Sequence, residues 1–196
     1  MYFSNTVKVI SLKYSFVFIF IIISFGLQSQ EHINWYTWEE GMSKAQEENK
    51  KFIIDLYTDW CGWCKRMDKV TFQNPEIAAY INENYIAIKF NAEQKGDINY
   101  LGNVYEFVNS GRRGYHALAA KLTDGRLSYP TVIFLDENKE LIQALPGFLD
   151  AETFAPVITY FANDEHLRTH WSTYLRRYNE IDRDNQSNHT RLVKGQ

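Results

Sequence analysis

Two cysteines, Cys61 and Cys64, are the only ones in a chain of 196 residues, and two residues separate them in Trp60-Cys61-Gly62-Trp63-Cys64-Lys65. A strand-like apolar run, Lys51 to Tyr57, leads into them, and a helix-like run, Cys64 to Val70, leads away. A Cys-x-x-Cys pair at such a junction has the pattern of a redox dithiol. The first cysteine falls at the helix N-terminus, where unpaired N–H groups and the helix dipole favour a thiolate. The second lies almost one turn on along the same face, within reach of a disulfide. The expected chemistry is thiol–disulfide exchange: Cys61 as thiolate attacks a disulfide, and Cys64 resolves the mixed disulfide. A static bridge and half of a zinc site are the alternatives. A bridge across so small a loop would contribute little loop-closure stability, and a tetrahedral zinc site usually takes four protein ligands, with no second cysteine pair here to supply them.

Asp55 interrupts the apolar run six residues before Cys61. An aspartate inside a strand buried on both faces is costly without a task or a partner, and burial raises its pKa. The expected task is proton exchange with Cys64 through water. Lys65, beside the pair, is expected to help stabilise the Cys61 thiolate.

Several segments must position this pair. Lys8 and Lys13 precede an apolar run from Phe16 to Leu27, followed by Gln28-Ser29-Gln30. Residues 1–30 therefore read as a secretory signal peptide, or as an uncleaved N-terminal anchor, and the expected location is the periplasm or the exterior, an oxidising compartment. Without that segment the chain carries 19 basic against 24 acidic residues. No dense basic stripe appears, so composition gives no footprint for nucleic acid, while 45% hydrophobic residues suffice for a packed core.

A leading strand is expected near residues 31–36. Thr37 and Glu40 form a capping-box pattern before a helix over 38–49 with Trp38, Met42 and Ala45 on its buried side. Asn74-Pro75 starts another helix, over 75–83. Residues 85–91, with Lys89 among them, alternate as a strand. An insert spans about 94–114, with a hairpin expected about Gly102-Asn103 and a loop tip carrying Arg112 and Arg113 in solvent, a role in substrate or partner contact being the alternative. A short helix over 115–122 precedes Tyr129-Pro130 and the strand 131–136. An antiparallel return over 140–145 and a helix from Asp150 to about Ala162 close the domain, with Pro156 an anomaly inside that helix. Residues 163–180 read as an extra amphipathic helix with Leu167, Trp171, Tyr174 and Tyr178 at helical spacing, and 181–196 as a disordered polar tail. His166 and His170 have the i, i+4 spacing of metal ligands without an evident third. The element order implies an α/β fold, a mixed central sheet flanked by helices.

Over residues 33–162 the chain resembles the thioredoxin superfamily. Trp60 to Lys65 carries the resemblance, with Asp55, with Tyr129-Pro130-Thr131 in the place of a cis-proline before a core strand, and with Gly147 beyond the closing hairpin. More narrowly it looks like the secreted thioredoxin-like proteins of the thioredoxin_7 type, related to the C-terminal domain of DsbD, with Asn91-Ala92-Glu93 and the insert before the cis-proline as supporting features. The resemblance implies a thioredoxin fold and a Cys61–Cys64 dithiol/disulfide cycle acting on protein disulfides in the cell envelope. It implies no organic cofactor and no metal. Electrons would come from a membrane-embedded donor of the DsbD or CcdA kind. Pro130 would place backbone groups beside Cys61, and Trp60, Gly62, Trp63 and Tyr129 would line the substrate face. Trp63 stands where thioredoxin has proline, so the potential of the pair does not carry over. A bulky Trp63 beside an exposed Cys61 sulfur, and an insert near the approach of substrate, point to a dedicated exchanger. Rivals are an oxidase or isomerase on the same scaffold, a redox-inactive adaptor, and a metal-transfer protein.

Overall fold

The structure, a computed structural model, describes residues 31–111 and 113–194. The expected signal segment, residues 1–30, and Arg112 lie outside the described residues. The elements are β1 (Trp35–Tyr36), α1 (Trp38–Lys44), β2 (Lys51–Tyr57), α2 (Gly62–Met67) with a π-helical turn (Asp68–Phe72), α3 (Pro75–Asn84) and β3 (Tyr85–Asn91). Next come β4 (Ile98–Tyr100), β5 (Asn103–Tyr105), β6 (Phe107–Val108), β7 (Tyr115–His116), α4 (Ala117–Leu122), β8 (Thr131–Leu135) and β9 (Leu141–Pro146). The described chain closes with α5 (Ala151–Ala162), a 3-10 turn (Glu165–Leu167) and α6 (Trp171–Lys194).

Five strands form one mixed sheet in the order β1-β3-β2-β8-β9. β3 runs parallel to β1 and β2, whereas β8 runs antiparallel to β2 and β9. β2 is central, and its side chains alternate between the two faces. Phe52, Ile54 and Leu56 join Ile86, Ile88, Phe90, Ile133 and Leu135 in one core, which Trp38 and Leu118 cover. Ile53 joins Ala87, Val132 and Phe134 in the other, with Met67 and Phe72 from the motif side and Phe154 from α5. Alternation therefore puts Asp55 on the second face, the face on which the cysteine-bearing helix packs.

Local chemistry sets the element ends. Thr37 and Glu40 form the expected capping box, Asn74 accepts from the N–H groups of Glu76 and Ile77, and Asp150 accepts from Thr153. α1 lies close on β3: a Cβ at Gly41 would come 2.6 Å from Ile88, so no side chain fits without movement. Lys51 opens β2 buried, paired with Glu137 at 2.7 Å and Asp164 at 3.0 Å.

The structure corrects several sequence expectations. α1 ends at Lys44, because the chain turns there through 3-10 type bonds from Gln46 to Ser43 and Glu47 to Lys44. The insert holds two small antiparallel pairs, β4–β5 and β6–β7. Its first turn is centred on Leu101-Gly102, both with positive φ, one residue before the expected site. Pro156 does sit inside α5; the acceptor left without its N–H belongs to the exposed Glu152. Leu167 lies on the 3-10 turn, 74% exposed, rather than on the apolar stripe of a helix. The tail after 180 is helical to Lys194 rather than disordered. No glycine or proline interrupts 171–194, and a helix nucleated by its packed first half adds one bond for each further residue.

α6 packs on its own domain. Tyr174 is buried, its hydroxyl donates to Thr159 Oγ1 at 2.7 Å, and its ring lies 4.9 Å from that of Tyr160. We expect Tyr174→Ala to destabilise the protein by about 3 kcal/mol, the range for a truncated buried ring, and Tyr174→Phe by about 1 kcal/mol, the value of one hydrogen bond. Urea unfolding measures both. Unfolding of Tyr174→Ala indistinguishable from the parent would mean that α6 adds nothing to the domain.

Candidate functional site

β2 ends at Tyr57, and a tight turn follows in which the Cys61 N–H donates to the Thr58 carbonyl at 3.0 Å. Cys61 is the N-cap of α2, extended at φ −71° and ψ 103°, and its sulfur accepts from the backbone N–H of Cys64 at 3.0 Å. Cys61 and Cys64 form a disulfide, with Cα atoms 5.3 Å apart. A sulfur at this position receives a backbone donor at the positive end of a helix, the environment that favours a thiolate once the bridge opens. Lys65 follows, exposed, in no ion pair among the described residues.

Cys61 is 4% exposed, so its sulfur is not the open one expected. The exposed surface belongs instead to the tryptophans that bracket it, Trp60 at 51% and Trp63 at 59%. Trp63 lies 5.5 Å from Phe148, and the Arg66 guanidinium sits 5.8 Å from Trp63 and 5.6 Å from Phe148. Trp60 meets Tyr129 edge-on at 6.0 Å, donates its indole N–H to Glu93 at 2.9 Å, and carries the Arg113 guanidinium 4.4 Å from its ring centre. Arg113, expected as a solvated loop tip, is thus brought onto the motif by the insert.

The Tyr129–Pro130 peptide is cis. The Pro130 carbonyl accepts from Gly147 at 2.8 Å, joining the start of β8 to the end of β9. The Tyr129 ring against Trp60 brings this corner to the motif. The insert is held by backbone bonds: Ala92 N–H to Tyr57 O at 2.8 Å, and His116 N–H to Ala92 O at 2.7 Å. His116 is fully buried; its Nδ1 accepts from Leu118 N–H, which leaves Nε2 to donate to Gly96 O. Gly114 faces the ring of Phe107 so closely that a Cβ would fall 2.1 Å from it.

Behind the motif, Asp55 is buried and ion-paired with Lys89 at 2.6 Å, and Lys89 also contacts Asp68, the first residue of the π-helical turn. Parallel register sets Asp55 opposite Lys89. The ammonium lies among Trp35, Tyr57 and Phe72, 4.9 to 5.4 Å from their ring centres. Burial pushes the Asp55 carboxyl up to about 6, against the pull of Lys89, and its Oδ1 has no hydrogen-bond partner. Burial pulls Lys89 down, but the two carboxylates overcome this and hold it above its ordinary value.

Sequence reasoning named the cysteines, Asp55 and Tyr129-Pro130, and the structure gathers them at one end of the sheet. It gave no role to Lys89, Asp68, Glu93, Arg66 or Phe148. The signal for Lys89 was present: one lysine in an apolar strand opposite one aspartate in another. His166 and His170 line a separate cavity of about 640 Å³ beside β9, with Tyr160 and Trp171. Among the described residues no cluster of three or more His, Cys, Asp or Glu side chains is placed to hold a metal ion, and no helix is long and apolar enough to cross a membrane.

The position of the Asp55 carboxyl sets a pH dependence. Its folded-state value lies above the ordinary one, so its protonated form stabilises the fold, and that contribution is lost as pH rises through about 6. Asp55→Asn is therefore expected to exceed the parent in stability by about 2 kcal/mol at pH 8, with the difference vanishing near pH 4. Urea unfolding at both values measures it. A variant weaker than the parent at pH 8 would mean that the Lys89 pair outweighs the burial of the charge.

The family described as "Thioredox_DsbH: Protein of unknown function, DUF255" matches residues 25–183. "Thiol:disulfide interchange protein DsbD" of Escherichia coli is 30% identical over 134 residues, 65% of this chain and 20% of that one. "Spermatogenesis-associated protein 20" of Mus musculus is 35% identical over 84 residues, 42% of this chain and 11% of that one. The chain thus spans a fifth or less of the length of these relatives. The solution structure of a thioredoxin from Thermus thermophilus superimposes with a TM-score of 0.51 at 15% identity, over 71% of this chain and 98% of that one, which is a likeness of fold. With the mixed sheet, the cysteine pair at the start of α2 and a family match across most of its length, the chain belongs to the Thioredox_DsbH family and has the thioredoxin fold of the thioredoxin superfamily.

Proposed function

We propose that this protein is a thiol–disulfide oxidoreductase of the cell envelope that reduces protein disulfides through Cys61 and Cys64. The observation that carries the reading is the Cys61–Cys64 disulfide at the start of α2, with a buried, ionisable carboxyl on the sheet face that this helix covers. The name of the DsbD relative supports it, as does the position of the apolar segment at residues 16–27 for export.

In the reduced protein the Cys61 thiolate attacks one sulfur of a substrate disulfide. A new S–S bond forms to Cys61, the substrate bond breaks, and its other sulfur leaves as thiolate. Cys64 then loses its proton to Asp55 and attacks Cys61 Sγ. The second substrate sulfur departs, the substrate has gained two electrons, and the Cys61–Cys64 bridge is restored. Asp55 is poised for this because its carboxyl lies near 6, within reach of either protonation state at neutral pH. Lys65 and the N–H groups of α2 steady the Cys61 thiolate. The Tyr129–Pro130 backbone pairs with an extended substrate, and Trp60, Gly62, Trp63 and Tyr129 form the surface on which it lies. A membrane-embedded dithiol donor of the DsbD kind returns the pair to the reduced state.

The reduction potential of the pair tests the direction of flow. Equilibration with dithiothreitol is expected to give about −270 mV or lower, the range of thioredoxin. A value near about −120 mV would make the protein a disulfide donor instead. Cys61→Ser is expected to lower insulin reduction more than 10³-fold, to the level of buffer thiols, and Cys64→Ser to accumulate a mixed disulfide with substrate. Full activity in both variants would overturn the redox reading.

A further inference from the structure

The pair at Cys61 and Cys64 requires a disulfide but does not by itself choose among disulfides. The surface around it has a definite chemistry. On one side, Trp60 is fixed by the Glu93 carboxylate and the Tyr129 ring, and Arg113 lies over its face. On the other, Arg66 lies against Trp63 and Phe148. Each arginine thus lies within cation–π range of a tryptophan that neighbours a motif cysteine in the sequence.

Both arginines are exposed, and neither has a carboxylate partner among the described residues. Lys65, the residue before Arg66, is likewise exposed and enters no ion pair among the described residues. Of the acidic groups beside Trp60, Glu93 is engaged by the indole N–H, and Asp59, next to it in the sequence, is exposed and paired with neither arginine. A guanidinium attracted to a ring in this way spends no N–H donor on a carboxylate, and its planar fork of donors matches one. The ring contact also restricts the side chain beforehand, so less freedom is lost when a carboxylate docks. Two held, unpaired cations thus flank a disulfide-exchange centre.

We infer that this face selects disulfides carried on acidic segments, with carboxylates flanking the target cysteine and meeting Arg66 and Arg113. The inference rests on the redox reading above and adds the substrate class to it. Flanking aspartates or glutamates would raise the rate of encounter and of mixed-disulfide formation, and salt would diminish the gain because the arginines are exposed.

The test uses three cyclic peptides with one disulfide each, identical except for glutamate, glutamine or lysine on both sides of the first cysteine. The whole protein is reduced, freed of reductant, and mixed with each peptide in a single turnover, which converts one protein dithiol and one peptide disulfide into one protein disulfide and one peptide dithiol. Each rate is divided by that of the same protein on bis(2-hydroxyethyl) disulfide, which is small and uncharged. The glutamate peptide is expected to react about tenfold faster than the glutamine peptide at low salt, and the lysine peptide slower than either. The gap should close in 0.5 M salt and fall to within about twofold in the Arg66→Gln, Arg113→Gln double variant.

Equal normalised rates for the three peptides would overturn the inference, as would a preference unchanged in the double variant. Failure to reduce bis(2-hydroxyethyl) disulfide at all would sink the redox reading instead. Selection of acidic segments is then read separately, from binding of the S-methylated peptides to the Cys61→Ser, Cys64→Ser protein by fluorescence anisotropy. Equal affinities there would overturn it, and tighter binding of the glutamate peptide would sustain it.

Discussion

The buried carboxylate of Asp55 is the constraint to which the neighbouring structure answers. A carboxylate in the middle strand of a sheet loses its hydration, and ionising it costs several kcal/mol unless something compensates. Lys89 compensates from the adjacent parallel strand, and its own cost is offset by Asp68 and by three aromatic faces. The compensation is incomplete: one oxygen of Asp55 has no partner, and the carboxyl stays above its ordinary range. A group arranged only for stability would be fully paired or replaced by an apolar side chain. A group left near 6 can take and return a proton at little cost. The π-helical turn belongs to the same arrangement, since it begins at Asp68 and follows directly from the helix that carries Cys64.

The insert answers a different requirement. A tryptophan half exposed beside a reactive pair would move freely, and a mobile wall gives little orientation to a substrate. Here Glu93, just before the insert, and Arg113, within it, hold Trp60 through its indole N–H and its ring. The insert can do so because it is anchored in the core by His116, whose two ring nitrogens are both occupied by backbone groups. Gly114 lets the chain pass the Phe107 ring on its way to that anchor. A segment that reads as loop therefore transmits order from the sheet to the surface.

How much of this was legible depends on the range of the interaction that fixed it. Caps such as Thr37–Glu40 and Asn74 are local, involve two or three residues, and could be read directly. The Cys61–Cys64 site was legible because spacing alone brings the two sulfurs together. The α/β class with a mixed sheet is legible in the alternation of apolar strands and capped helices, and the thioredoxin fold only in the resemblance carried by Trp60 to Lys65, Asp55, Tyr129-Pro130 and Gly147. The Asp55–Lys89 pair was half legible: both charges stood out, but their meeting depends on parallel register across 34 positions. Arg113 is exposed, as a loop tip is expected to be, but its contact with Trp60 is not legible, because the two are 53 residues apart and nothing local marks it. The polar composition of the tail points to disorder, whereas its lack of glycine and proline through Lys194 suits the helix that the structure gives it.

The two cores also bear on what the cysteine pair is for. They hold the sheet from both faces with Phe52, Ile54 and Leu56 on one side and Ile53, Phe134 and Phe154 on the other. None of that packing requires a covalent link between neighbours three residues apart. Closing so short a loop removes little entropy from the unfolded chain, and the turn it closes is already fixed by the Thr58 and Cys61 carbonyls accepting from Cys61 and Lys65. Opening the bridge is therefore expected to cost the fold little. The equilibrium position of such a disulfide would be set by the local charges and hydrogen bonds rather than by the stability of the domain.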